Sequence, residues 1–363
     1  MSEPSPEQDQ PSVSYVIVAY ESGPELARTL PGLAREIEPG DEVIVVDNGS
    51  KVSPRDMVAE HLPAATVIEM GANAGFTAAT NRGATASSGD IVLMLNPDAL
   101  PETGFGAAIR EPFRDRPDWG AWMALVACRI DGEKVVNSWA NPVHFTGIAW
   151  AGGHGRPLEE AGGPHEIPIA SGAALAVRRE VWEQVDGLPE QFFLYHEDID
   201  ISIRIQSVGH RIGIETDAVV DHDYDFHSND LKWFWLERNR LAMVIRNYPA
   251  PLLALVTPAL LATELVLLLV SARQGWLGAK LKSYRDLVRW LPRLRREREE
   301  IQLARRITPR QFADLLTPEL DSPLIPEFAR KGVVKAMLRA YWRLVLSAVG
   351  SGRRPRDTQG QRG

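Results

Sequence analysis

Asp90-Ile-Val-Leu-Met-Leu-Asn-Pro-Asp98-Ala99 is the stretch around which the rest of the chain is organised. The apolar run Ile91–Leu95 reads as a strand buried in a parallel sheet, because such strands are covered on both faces and lose the alternation of half-exposed ones. It stops at Asn96-Pro97: proline cannot donate to a ladder and drives its predecessor out of the helical region. Asp98 then sits just past the carboxyl end of the strand, where open α/β sheets bind ligands. A carboxylate beside a rigid proline suits a divalent cation, since magnesium is commonly held by one or two carboxylates together with substrate phosphates. Taken alone, the same residues read equally well as an Asx-type turn.

Working outward, strands and helices alternate. Ser14–Ala19, Glu42–Val46 and Thr66–Met70 are nearly continuous apolar strands. Glu25–Glu36 has helical spacing, with Leu26, Leu30, Leu33 and Ile37 on one face, and helices are also expected at Pro54–His61 and Thr77–Ala86. This rhythm predicts a doubly wound parallel sheet with right-handed crossovers. After Asp98 it changes. Helices are expected at Gly104–Phe113, Arg178–Val185 and from the 197–200 region to about Val208, with strands at Gly120–Ile130, Gly209–Glu215 and Ala218–Tyr224. Asn137–Gly163, rich in Gly, Trp, His and Pro, reads as loops with short strands.

A formal net charge of -8 argues against general nucleic-acid binding. The single cysteine, Cys128, excludes an internal disulfide framework and a Cys-rich zinc site. Residues 1–12 are acidic and rich in Pro, Ser and Gln; they read as a disordered tail without the apolar core of a signal peptide, which places the catalytic part in the cytoplasm.

Leu252–Val270 is about 19 residues of mostly Leu, Val and Ala, near the length that crosses a bilayer, interrupted by Pro258 and Glu264. Three readings stay open: a membrane-embedded helix or hairpin, an interfacial helix, and a buried helix of a soluble domain. The basic stretch Arg273–Arg310 favours contact with an anionic membrane, although Glu297, Glu299 and Glu300 also offer intrahelical partners. Val334, Met337, Tyr341, Leu344 and Val345 share a helical face, which suggests a second surface-binding helix before a basic tail at Gly350–Gly363. The expected division is a tail (1–12), a catalytic domain (13–246), an apolar and basic helical region (247–320) and an amphipathic helix with tail (321–363).

Several other residues carry chemistry. Asp47 follows a strand as Asp98 does and is placed to meet a nucleoside, or is a simple turn residue. Asn73-Ala-Gly75-Phe and Asn81-Arg82-Gly frame a helix whose first amides face a ligand or are merely capped; Arg82 suits a phosphate or a base. Glu197-Asp198 and Asp200 form an acidic knot that also favours a helix N-terminus whatever its role. Residues two apart on a helix point about 200° away from each other, so only one of Asp198 and Asp200 enters a site. The aromatics Phe192, Phe193 and Tyr195 shield a carboxylate from water and so raise its pKa. His222, with Asp221, Asp223 and Asp225 around it, is a metal ligand or a structural histidine.

Taken in order, these segments resemble a family-2 glycosyltransferase of GT-A fold, in particular its bacterial rhamnosyl- and galactofuranosyltransferase-like branch. The resemblance is carried by Val16-Ile-Val-Ala-Tyr20, Val45-Val-Asp47-Asn-Gly-Ser50, Asn73-Ala-Gly-Phe76, Asn81-Arg-Gly83, Leu95-Asn-Pro-Asp98-Ala, Ser171-Gly-Ala, Phe193-Leu-Tyr-His-Glu-Asp198-Ile-Asp200, Val220-Asp-His222 and Glu237-Arg-Asn-Arg240. It spans roughly Ser14–Arg246. It implies a Rossmann-like, mixed and mainly parallel sheet with a C-terminal helical membrane-associating extension. It also implies that Tyr20 and Asp47 meet the base, and that Asn73, Gly75, Asn81 and Arg82 line the nucleotide site. Asn96-Pro-Asp98 stands where the family has Asp-X-Asp, with Asp98 and His222 as ligands of Mg²⁺ or Mn²⁺ and Asn96 replacing one carboxylate by a neutral amide. Asp198 would be the general base beside Glu197, and Ser171-Gly172 would border the acceptor.

The implied reaction is an inverting, metal-dependent transfer of rhamnose or a related sugar from a dTDP- or UDP-linked donor to a glycan or lipid-linked acceptor, at the cytoplasmic face of the membrane, for cell-envelope polysaccharide synthesis. A sugar nucleotidyltransferase is the alternative enzyme, but Tyr20-Glu-Ser-Gly-Pro24 lacks the Gly-rich, Arg-containing loop expected of it. A non-catalytic, membrane-attached module of the same fold is the other, and the intact Asp98, Asp198 and His222 argue against it.

Overall fold

The computed structural model describes residues 10–222, 230–321 and 332–350. Most of the expected N-terminal tail (1–9), Asp223 and Asp225, and the basic tail beyond Gly350 lie outside the described residues.

Strands Val13–Ala19 (β1), Glu42–Asp47 (β2), Thr66–Glu69 (β3) and Ile91–Leu95 (β4) run parallel, joined by helices Gly23–Leu33 (α1), Arg55–His61 (α2) and Phe76–Thr85 (α3). Every residue of β1 and β4 is buried, which is why both read as unbroken apolar runs. The chain continues through Ala99–Pro101 (β5), Phe105–Asp115 (α4), Trp119–Ile130 (β6), Glu133–Ser138 (β7), His165–Glu166 (β8), Ala174–Arg178 (β9), Arg179–Gln184 (α5), Glu197–Ser207 (α6) and Arg211–His222 (β10). The ten strands form one mixed sheet in the order β3-β2-β1-β4-β9-β6-β10-β5, with β7 paired to β6 and β8 to β10. β9 lies antiparallel to both β4 and β6, β10 runs parallel to β6, and β5 closes the edge antiparallel to β10.

Two features differ from the sequence reading. The strands expected at 209–215 and 218–224 are, as far as the described residues run, one strand, β10, whose pairing with β6 slips between Glu215 and Val219, and 223–224 lie outside the described residues. Such a bulge bends a strand and re-aims the residues beyond it. β6 also continues into a hairpin with β7 across Asp131-Gly132, both at positive φ (52° and 85°), the turn chemistry a two-residue hairpin requires.

Five helices complete the described chain: Asp230–Asn247 (α7), Ala250–Gln274 (α8), Leu277–Ala304 (α9), Pro309–Ala313 (α10) and Gly332–Ala348 (α11). A second core joins them to the sheet domain, with Phe192, Ile199 and Ile203 meeting Leu252, Trp290 and Phe312. Glu264, the charge inside the apolar run, is not left in apolar surroundings. It pairs with Arg240 of α7 and with Lys280 of α9 (2.7 Å), and the Tyr284 hydroxyl donates to it over 2.6 Å.

Candidate active site

The carboxyl ends of β1, β2, β4 and β10 and the start of β9 share one edge of the sheet, as their pairing directions dictate. At this edge Ala99 of β5 pairs with His222 of β10. The pairing brings Asp98 Oδ1 within 3.1 Å of His222 Nε2, and Asn96 Nδ2 lies 3.4 Å from the same nitrogen. Burial opposes charge on Asp98, but the hydrogen bond to His222 and the positive potential of His222 and Arg28 outweigh it and hold the carboxyl below its usual range. Among the described residues no three or more His, Cys, Asp or Glu side chains cluster as a ready-made metal cage. One carboxylate and one imidazole side by side suit a divalent ion shared with the phosphates of a ligand, not an all-protein site.

A main-chain hydrogen bond from Asn96 N to Ala173 O (2.9 Å) ties this corner to the segment that precedes β9. There Gly172 N donates to Asp198 Oδ2 over 3.2 Å and Asn141 Nδ2 to the same oxygen over 2.9 Å, while Ile199 N donates to Oδ1 over 2.8 Å. Burial raises the pKa of Asp198 in spite of these three donors. Glu197, buried beside it, is raised by burial first and by the charge of Asp198 second. Asp200 turns to the interior instead, onto Arg204 (2.7 Å) and Asn247 (2.7 Å). The helical divergence of residues two apart thus leaves Asp198 alone beside Gly172.

Asp198 stands in the first turn of α6, after a strained run: Phe193, Tyr195 and His196 have φ of 64°, 71° and 67°. Three non-glycine residues at positive φ in four positions need support. Asn239 supplies it, donating from Nδ2 to the carbonyls of Phe192 (2.9 Å), Leu194 (2.8 Å) and Tyr195 (2.8 Å). Arg238 adds bonds to the carbonyls of Gln191 and Phe192, and Phe193 stacks on Trp235 with ring centroids 4.6 Å apart. The Glu237–Arg240 motif is therefore the bracket of the loop that presents Asp198.

The residues expected around a nucleotide are more dispersed. Asp47, at the end of β2, is buried and accepts from Ser50 N (2.9 Å). Tyr20 stands half-exposed at the end of β1. Asn73 accepts from Asn48 Nδ2 (3.1 Å) and from Gly75 N (3.0 Å), which fixes the turn beside Asp47. Gly75 does permit a close approach, but to Phe193: a Cβ there would lie 2.6 Å from its ring, so in this structure the approach is to protein and not to a ligand. Asn81 differs from expectation. It donates to Leu188 O (2.8 Å) and accepts from Leu188 N (2.9 Å), so both ends of its amide hold the 187–188 turn. Arg82 is exposed in the last turn of α3, away from the helix start. Ser171 N lies against Met123 Sδ (3.3 Å), next to Gly172. Asn141, the side-chain donor to Asp198, sits in a loop with no distinguishing sequence pattern. Asn239 lies inside the Glu237–Arg240 motif, but its role has no local signal, since its targets lie more than forty residues upstream.

Residues 14–186 match glycosyl transferase family 2. The chain is similar to N-acetylglucosaminyl-diphospho-decaprenol L-rhamnosyltransferase of Mycobacterium tuberculosis, 28% identical over 219 residues that cover 53% of this chain and 70% of that protein. It is also similar to the uncharacterized glycosyltransferase YwdF of Bacillus subtilis, 36% identical over 87 residues covering 24% of this chain and 32% of that one. Among solved structures it matches GalNAc-T7 with UDP, GalNAc and Mn²⁺ at a TM-score of 0.57 and 16% identity, over 67% of this chain and 49% of the other. Just under half of the chain, residues 14–186, thus resembles glycosyl transferase family 2; the chain has the GT-A fold, and its likeness to the mycobacterial rhamnosyltransferase marks it as a glycosyltransferase similar to that branch.

Proposed function

We propose that the chain moves rhamnose or a closely related sugar from a dTDP- or UDP-linked donor to a hydroxyl of a lipid-linked glycan, at the cytoplasmic face of the membrane, in cell-envelope polysaccharide synthesis. The observation that carries this reading is Asp198: a half-buried carboxylate held by Gly172 N and Asn141, and joined through Ala173 and Asn96 to the Asp98–His222 corner. The polyprenyl-linked acceptor named for the mycobacterial relative supports the acceptor class.

Transfer proceeds by one displacement that inverts the anomeric centre. The acceptor oxygen bonds to the anomeric carbon, the bond from that carbon to the diphosphate breaks, and the nucleoside diphosphate leaves with the electron pair. Asp198 takes the acceptor proton, and its raised pKa brings it closer to the range where a base works well. Mg²⁺ or Mn²⁺, held by Asp98 and His222, would neutralise the charge that develops on the leaving diphosphate. GalNAc-T7, of the same fold, was solved with Mn²⁺ and a nucleotide, which supports a cation in this role. Asp47, Tyr20 and Asn73 line the nucleoside end, and Ser171-Gly172 the acceptor end. Residues 13–246 form the transferase and 247–320 its membrane-facing extension.

Asp198→Asn tests the assignment. It keeps the shape of the side chain, so donor binding should persist, while transfer should fall by roughly 10²–10⁴-fold. Transfer near the wild-type rate would refute Asp198 as the base.

A further inference from the structure

Helix α8 is, among the described residues, the one helix long and apolar enough to cross a membrane, yet only 6% of its most apolar 18-residue window is buried. Leu261, Leu265 and Leu269, four residues apart and so on one face, are 60%, 64% and 73% exposed. The opposite side is fastened along its whole length. Leu252 and Val256 at its start are fully buried in the second core, Glu264 at its middle is held by Arg240 and Lys280, and Ser271 near its end is fully buried. Just beyond it, Trp276 is buried and stacks on Trp233 at 4.6 Å.

A crossing helix needs about 20 apolar residues with lipid or other spanning helices around them, and its two ends on opposite sides of the membrane. α8 has the length, but both of its ends and its one carboxylate are attached to the same globular body. Crossing would strip Glu264 from its cations and leave Arg240 and Lys280, both buried, facing Glu237 alone.

We infer that α8 lies flat in the surface of an anionic bilayer, with the Leu261–Leu269 face in the boundary between headgroups and acyl chains, and does not cross it. This builds on the membrane-proximal acceptor reading above and decides among the three orientations the sequence leaves open. The choice of a lipid surface over a protein partner rests on charge. α9 packs beside α8, and its outward side interleaves exposed Leu281 and Val288 with exposed Arg285, Arg289 and Arg295. Apolar residues interleaved with arginine are what an interfacial helix presents to acidic headgroups. α11, in contact with α8, exposes Val333, Met337 and Leu344 along one side while Trp342 and Val345 bury the other. A bilayer docked there holds a lipid-linked acceptor close to the transferase domain.

The test uses the full chain with Cys128→Ser and single cysteines at exposed positions. A polarity-sensitive fluorophore at Leu265→Cys should shift to the blue on adding vesicles containing phosphatidylglycerol. Partitioning onto these should be at least about tenfold stronger than onto phosphatidylcholine vesicles. Ala250→Cys and Gln274→Cys should both react with a membrane-impermeant maleimide added outside intact vesicles. Protection of one end until the vesicles are lysed would show a crossing helix and overturn the inference. Absence of a shift with either vesicle would overturn it too, and a concentration-dependent dimer in sedimentation would then identify a second copy as the occupant. None of these readouts involves sugar transfer, so they fail or succeed independently of the transferase assignment.

Discussion

Replacing Asn239 by alanine separates the loop that presents Asp198 from the helix that holds it. The Asn239 side chain is fully buried and reaches three carbonyls, but its amide has only two protons, so it supplies about two bonds' worth of stabilisation. Phe192 O keeps Arg238 at 3.2 Å, and the loss falls on Leu194 O and Tyr195 O. Losing these bonds removes about 1 kcal/mol net for each, or more where a carbonyl is left buried and unpartnered, for a total of about 2–4 kcal/mol. The strain in Phe193, Tyr195 and His196, at about 1–3 kcal/mol each, is of the same size, so the loop should relax once the bracket is gone. Asp198 then spends less time beside Gly172. A penalty of about 2 kcal/mol on its correct placement corresponds to a loss of roughly 30-fold in the transfer rate. Asp47 at the end of β2 and Asp98 between β4 and β5 make none of these bonds, so the affinity for nucleoside diphosphate should hold. The assay is steady-state transfer with purified acceptor, alongside donor titration and thermal melting. A variant that melts earlier yet transfers at the wild-type rate would refute the bracket as a positioning device.

The same geometry has other consequences. His222→Ala removes one of the two side chains offered to a cation, so Mn²⁺ affinity, measured by titration in the presence of nucleoside diphosphate, should weaken at least about tenfold; unchanged affinity counts against His222 as a ligand. Gly75→Ala places a Cβ 2.6 Å from the Phe193 ring at φ +96°, ψ 156°, a region essentially reserved for glycine. It should cost about 2–5 kcal/mol, read as a clear fall in melting temperature. The pH dependence has a defined sign. Asp198 accepts a proton only as a carboxylate, and burial raises its pKa, so kcat should fall as pH drops through a limb above the ordinary value of about 4. Asn141→Ala removes a donor that favours the charged form and should move that limb to higher pH. An acid limb in the same place in both proteins would show that another group controls it.

Much of the fold is legible because periodicity is a local property. β1, β2 and β4 are continuous apolar runs because helices cover both faces of the sheet, and that burial is written into each segment separately. The β6–β7 hairpin carries a local signal too, since Asp131-Gly132 is a turn pair, but the run of charge around it obscures the second strand. β5 carries none: three residues have no period, and Ala99–Pro101 becomes a strand only because β10 is there to pair with it. Asn81 shows the reverse case. Its neighbours lie in the second half of a helix, and nothing local reveals that its amide is committed to a turn more than a hundred residues away.

Local sequence is enough to place the strand that ends at Asn96-Pro97, the carboxylates at the ends of two strands, the acidic knot at Glu197–Asp200 and the long apolar helix. Each depends on residues within a few positions of one another. What these features touch is settled only by packing. The edge pairing of β5 with β10 sets Asp98 against His222, the Ser171–Ala173 segment sets Gly172 against Asp198, and α7 turns Glu264 inward so that one side of α8 remains bare. Such contacts join residues tens to more than a hundred positions apart, and no local pattern records them because the chain acquires them only when its sheet and its helices pack.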